Sequence, residues 1–257
     1  MTEYHRREYG TTDFDRQLRL QNAGLAQFEL RCFAKYFDPD TRTLDLGTGG
    51  GRIALALGSQ HHFTAVVAVD FVEGFVRTAR HRAQEVAPRT QFAVANALEL
   101  CFRDKTFDQI VAAGVLLSHL PNRDLRLKAL SEMRRVLKVG GLAYVTVHNA
   151  RRHFSLYGLR TFMRLVRAVR GNEQHYWRND LPRLGSRAGR MDPLFWRRDK
   201  SHLHYYYPEE FVLDTLSSNL ALIELNGFGP SCEGNQEEGF WRLVGAPSLQ
   251  AVLWRRD

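Results

Sequence analysis

Thr43-Leu44-Asp45-Leu46-Gly47-Thr48-Gly49-Gly50-Gly51-Arg52-Ile53 is the stretch on which the fold turns. Thr43–Leu46 is a short strand with one acid in it, Ile53–Leu57 reads as a helix, and the glycines lie between. Glycines let the backbone turn tightly and approach a ligand with no Cβ in the way. The helix start behind them offers free N–H groups to a carboxylate or phosphate. A dinucleotide fingerprint wants a small residue where Arg52 stands. A phosphate-binding P-loop needs Gly-Lys-Ser/Thr, and the chain lacks it here. What remains is Asp-x-Gly-x-Gly-x-Gly between a strand and a helix.

Outward from this loop, strands and helices alternate. Ala65–Val69 is apolar throughout, and Phe92–Ala95, Gln109–Val115 and Leu142–Val147 are further predicted strands. Glu73–Val86 and Arg123–Leu137 have helical spacing; Leu127, Leu130, Met133 and Leu137 share one stripe of the second, and Gly140-Gly141 punctuates it. Upstream, residues 12–37 are predicted helical until Asp38-Pro39-Asp40. Such alternation predicts a parallel sheet covered on both faces. The pattern lapses after Asn149, where residues 151–204 read as helices and loops. It resumes with a helix at Pro208–Leu216 and strands at Ala221–Leu225 and Ala251–Trp254.

The loop has company at a telling order and spacing. Val67-Ala68-Val69-Asp70 closes the second strand with an acid 19 residues after Gly51. Ala95-Asn96-Ala97-Leu98, Phe107-Asp108, Gly114-Val115-Leu116-Leu117-Ser118-His119-Leu120-Pro121 and Leu137-Lys138-Val139-Gly140-Gly141 follow. Together, over residues 40–150, they resemble the class I methyltransferases that depend on S-adenosylmethionine (SAM). Two departures stand out: Asn96 where the family usually has Asp, and Val139 where it has proline.

The resemblance implies an α/β, Rossmann-like sheet of seven strands. It is mostly parallel with the last strand antiparallel, has helices on both faces, and carries a helical basic insert after strand five. It implies one methyltransferase domain over 1–257: an N-terminal helical segment (1–40), a SAM-binding core (41–150), a basic aromatic cap (151–207) and a closing helix and strand hairpin (208–257). It also implies roles. The backbone of Gly47, Thr48, Gly49 and Gly51 would pass under the methionine part of SAM, and Asp45 would hold that loop. Asp70 would accept from the ribose hydroxyls, and Asn96 from the adenine amine. Phe71, Ala97 and Leu98 would line the adenine, and Gly114 and Val115 would lie beside the methionine tail. The product would be S-adenosylhomocysteine, with no metal involved.

Size and composition fit this reading. A chain of 257 residues supports one large core. No apolar run approaches the ~18 residues of a membrane span, and the start, Met-Thr-Glu-Tyr-His-Arg-Arg, lacks the apolar centre of a signal peptide. Cys32, Cys101 and Cys232 are too scattered for a disulfide framework or a zinc cluster, so a cytoplasmic location is expected. The net charge of +8 is concentrated. Residues 151–200 hold 13 Arg or Lys against 4 Asp or Glu, a balance of +9 that leaves about −1 for the rest. Such a patch serves an anionic partner or is a solvated helical face with long arginine stems packed along it.

Transfer of a methyl group from a sulfonium is an in-line displacement, so positioning the acceptor is the main task; an N–H or O–H acceptor also calls for a base. His119 and His148 follow strands four and five, at the edge where ligands bind such sheets, and are the candidate bases. Tyr206, within Tyr205–Tyr207, is the candidate acceptor contact; the run equally suits a seal on the core beside Phe211. The segment 151–207, with Phe154, Tyr157, Trp177 and Trp196 among its arginines, suggests a cap over a small anionic or aromatic acceptor. The same composition suits RNA. The order Leu-Ser-His-Leu, Val-Leu-Lys and His-Tyr-Tyr-Tyr faintly resembles methyltransferases acting on wobble uridine of tRNA. Two further readings are a SAM-binding protein without catalysis, and a basic helix over 154–170 lying on anionic membrane.

Overall fold

The computed structural model describes residues 24–59, 63–150, 194–196, 202–228 and 248–257. The elements run α1 (Gln27–Tyr36), β1 (Arg42–Leu46), α2 (Arg52–Ser59), β2 (Ala65–Asp70), α3 (Glu73–Val86), β3 (Gln91–Val94), β4 (Phe107–Ala112), α4 (Arg123–Val136), β5 (Leu137–His148), β6 (Leu194–Trp196), β7 (His202–His204), α5 (Pro208–Ser217), β8 (Leu220–Phe228) and β9 (Ser248–Arg255). A 3-10 turn, Leu116–His119, follows β4. Seven strands form one sheet in the order β3-β2-β1-β4-β5-β9-β8. β1 to β5 are parallel, and β9 runs antiparallel to both its neighbours. This is the expected Rossmann-like architecture.

Strand periodicity explains the two layers. Successive side chains point to opposite faces, so Leu44, Val67, Val69, Ile110, Val145 and Leu253 join α4 and Phe211 of α5 in one core. Val66, Ala68, Val111, Tyr144 and Val252 join α1, α2 and α3 in the other. The strand order reverses between β1 and β4, and ligands bind such sheets in the crevice beyond the carboxyl ends at that point. The glycine loop leaves β1 there, and the Gly114 turn leaves β4.

The structure departs from the sequence reading in three places. Residues 24–26 precede the helix Gln27–Tyr36 instead of belonging to it; residues 12–23 lie outside the described part. Gly140-Gly141 does not interrupt β5, which starts directly at the end of α4. The ladder shifts register there instead, from Phe107↔Leu137 to Gln109↔Leu142. A Cβ on Gly141 would stand 2.7 Å from the Asp108 carbonyl oxygen, so glycine permits the crossing. The third departure is in the insert, where β6 and β7 pair as an antiparallel ribbon rather than as helix or loop. Strands of three residues are too short to show a period of two. The arginine stripe, the aromatic cap residues 154–177 and Cys232 lie outside the described residues.

Candidate active site

The glycine loop is shaped by left-handed backbone and by two acids. Gly47, Gly49 and Gly51 have φ of +77°, +55° and +87°, values that residues with a Cβ adopt only under strain. Gly47 and Thr48 both donate their N–H groups to the Val69 carbonyl, at 2.8 and 3.0 Å, which lays the loop across the end of β2. Asp45 is enclosed inside it. Its Oδ2 accepts from the Thr48 hydroxyl at 2.7 Å and from the Ala54 N–H at 3.1 Å, tying the loop to the first turn of α2. Burial pushes the Asp45 carboxyl up to about 6, against those two bonds and the nearby Arg52.

Asp70 stands where β2 ends and binds the loop from the other side. Its Oδ2 accepts from Gly49 N–H at 2.8 Å and its Oδ1 from Val72 N–H at 2.9 Å. Burial raises this carboxyl too, while the backbone donors lower it. Among the described residues no Lys or Arg pairs with Asp70, so its spare lone pairs suit neutral donors such as two sugar hydroxyls. Phe71 and Asn96 are half-buried beside it, while Ala97 and Leu98 are buried. Asn96 Oδ1 accepts from Leu98 N–H at 3.1 Å, which fixes the amide and leaves one acceptor position. The Ala95 N–H bonds the Asp70 carbonyl at 2.9 Å, so the two strand ends are held together.

Across the crevice, Gly114 is exposed, with φ +77° and nothing within 4 Å of where a Cβ would stand. Val115 follows in a left-handed conformation, φ 59° and ψ 34°. Its N–H donates to the Thr146 hydroxyl at 3.2 Å. Leu116 lies directly on the glycine loop: a Cβ on Gly47 would stand 2.6 Å from Leu116 Cδ1. His119 closes the 3-10 turn and His148 closes β5, both half-buried. The His148 N–H donates to Ser118 Oγ at 3.0 Å, and its ring stacks on Tyr205 with centroids 4.9 Å apart.

The tyrosine run divides by strand alternation. Tyr205 and Tyr207 are half-buried, whereas Tyr206 is wholly enclosed. The Tyr206 ring meets His204 and Phe211 edge-on at 4.5 and 5.4 Å, with the Arg126 guanidinium 5.3 Å from its centroid. The structure therefore places Tyr206 in the core, on the far side of its backbone from Tyr205. Bonds between Tyr206 N–H and the His148 carbonyl, and between Ala150 N–H and the Tyr206 carbonyl, each 2.9 Å, hold this segment to the end of β5.

Several polar residues escaped the sequence reading. Arg126 on α4, 1% exposed, lies 3.3 Å from Glu210 on α5, which also stands 2.9 Å from His204 Nε2. Arg123 bonds the enclosed Asp214 at 2.7 Å. The signal was present: arginines three apart on α4 and acids four apart on α5. Glu29 is likewise buried and takes both arms of Arg52, at 2.6 and 2.7 Å. Ser118 entered the sequence reading only as part of the stretch after strand four, and Thr146, a single hydroxyl, gives no sequence signal at all.

Residues 43–141 match the family model described as a methyltransferase domain. The chain carries a class I SAM-dependent methyltransferase domain. The chain is 32% identical over 167 residues to a malonyl-[acyl-carrier protein] O-methyltransferase of Geobacter sulfurreducens, covering 65% of this chain and 56% of that protein. A mouse protein named "Probable tRNA methyltransferase 9B" is 34% identical over 118 residues, 46% of this chain and 24% of that one. The chain thus spans little more than half of the first relative and a quarter of the second. Among solved structures, a SAM-dependent methyltransferase of Methanosarcina mazei superposes with a TM-score of 0.64 at 20% identity, covering 91% of this chain and 99% of that one, which is a likeness of fold. Among the described residues no helix is long and apolar enough to cross a membrane, and no cluster of three or more His, Cys, Asp or Glu is arranged to hold a metal.

Proposed function

We propose that the chain transfers a methyl group from SAM to a small anionic or aromatic molecule held over the carboxyl ends of β4 and β5. The observation that carries this reading is the lock between loop and acid. Gly49 N–H bonds Asp70 Oδ2 at 2.8 Å, so a left-handed glycine loop and an uncharged-donor carboxylate face one crevice. SAM supplies an activated methyl on a sulfonium with a good leaving group. The chain's own residues do the rest. Gly47 to Gly51 give a close backbone surface, kept in shape by Asp45. Asp70 accepts from the ribose, Asn96 from the adenine amine, and Phe71 and Leu98 bound the ring. Gly114 leaves room where a side chain would intrude. His119 closes the 3-10 turn after β4 and His148 closes the neighbouring β5, so either ring can take a proton from an acceptor seated between them and the loop. Tyr205, stacked on His148, offers a ring face to a planar acceptor.

A second reading, tRNA as the acceptor, draws on the +9 balance of residues 151–200 and on the mouse relative. Calorimetric titration with SAM tests the donor: micromolar binding is expected, and no binding below millimolar overturns the proposal. Release of S-adenosylhomocysteine on adding a metabolite extract supports a small acceptor; release only with tRNA, lost as salt rises, moves the assignment to RNA. Binding with no turnover on either would mark a SAM sensor rather than an enzyme.

A further inference from the structure

The strained turn after β4 is closed by the Ser118 N–H on the Val115 carbonyl, at 2.9 Å, and is tied to β5 by the Thr146 hydroxyl. A β-branched residue at positive φ is a rare conformation, because its Cβ and γ-carbons crowd the backbone. Val115 adopts it immediately after Gly114, which is also left-handed. Such strain persists only where the surroundings impose it. One partner of the strained residue is on the adjacent strand. Thr146, 2% exposed, presents its Oγ1 to the Val115 N–H at 3.2 Å, and one turn on, Ser118 Oγ receives the His148 N–H at 3.0 Å. Both bonds continue the β4–β5 pairing past Ala112↔Val145, where the backbone ladder ends. The next residue, Leu116, rests on Gly47 so closely that no Cβ fits between them. The turn thereby connects β5, the candidate bases and the cofactor loop in one chain of contacts.

The geometry points to Thr146 as a positioning residue for SAM: its hydroxyl holds Val115 left-handed, and this seats Leu116 against the glycine loop. The inference rests on the SAM reading above. Without the hydroxyl the turn relaxes, Leu116 leaves Gly47, and the loop loses the shape in which it receives the donor. A purely structural Thr146 would lower the melting temperature and leave the affinity of the folded protein unchanged.

The test is a double-mutant cycle on the full chain, read by calorimetric titration with SAM and by melting without ligand. Thr146→Val should weaken SAM about tenfold, as a loosened site does, with a melting temperature no higher than that of the parent, since the Val115 N–H loses its acceptor. Thr146→Ser should restore the affinity. Val115→Gly sets the second background of the cycle, because glycine is left-handed without strain, and its own SAM affinity is the reference there. In that background Thr146→Val should cost little more, which is the coupling expected of residues in contact. SAM affinity within twofold of the parent in Thr146→Val, or an equal loss with and without Val115→Gly, overturns the inference. Should Thr146→Val fail to fold, Leu116→Ala serves: weaker SAM binding supports the seat on Gly47, and unchanged affinity overturns it. A parent protein that binds no SAM fails earlier, and takes down the donor assignment itself.

Discussion

The two sides of the crevice are built differently. On the β1–β2 side the working parts are backbone N–H groups and two short acids, all within residues 45 to 72 and tied by hydrogen bonds of 2.7 to 3.1 Å. On the β4–β5 side the working parts are side chains gathered from α4, β5, β7 and α5, with Arg123 and Asp214 meeting across 91 residues of chain. A local arrangement is written in spacing and survives a change of acceptor. A long-range one depends on the whole upper layer being in place. The comparison predicts that damage to the α4–α5 ion pairs and damage to the glycine loop have separate effects, with the turn after β4 as the place where the two sides meet.

Arg126→Ala should give the largest effect. It removes a charge that is 1% exposed and leaves Glu210 facing His204 and Tyr206. Breaking a buried pair costs about 3–5 kcal/mol. Urea melts should show this loss while SAM affinity of the folded protein stays within about twofold; a large drop in affinity would break the separation between the two sides.

Asp45 should make stability depend on pH. Its native carboxyl titrates near 6, above the ordinary 3.8, so between these values the native state holds the proton that the unfolded state releases. Stability from this group is therefore greatest below pH ~4, declines as pH rises to 6 and is flat above, by roughly 3 kcal/mol in all. Asp45→Asn should flatten that decline. Parallel curves for the two proteins between pH 4 and 6 would show that Asp45 is not the group responsible.

Asp70→Ala should raise the SAM dissociation constant about 30-fold, near 2 kcal/mol for bonds to a charged acceptor. An unchanged constant would put the ribose elsewhere. The smallest expected change is Asn96→Asp, which keeps the acceptor that meets Leu98 and adds a charge. It should tighten SAM about threefold; weaker binding would remove Asn96 from the adenine contact.

The same contrast explains what the sequence disclosed. β1, the glycine loop and Asp70 were readable because strand, turn and acid follow one another at fixed spacing, and steric rules for glycine act locally. The end of α3 at Val86 was readable from helical periodicity. The β6–β7 ribbon was not, since three residues carry no period, and the choice between the two roles of the tyrosine run was not, because the bridge from Tyr206 to Asn149 beyond β7 decides which of three tyrosines is enclosed. The ion pairs joining α4 to α5 needed the fold before their spacing meant anything.

Arg52 has a consequence for where the domain can be cut. It argued against a dinucleotide by its bulk, and in the structure both its arms are taken by Glu29, while the Gly24 carbonyl accepts from it at 2.9 Å. The recognisable family segment begins at residue 43, downstream of both partners. A fragment started there would keep the motif intact and leave its guanidinium without a counter-charge beside the loop it follows, with Phe33 and Phe37 gone from the same core. A unit that keeps these contacts starts no later than Gly24, upstream of the point where the motif becomes recognisable.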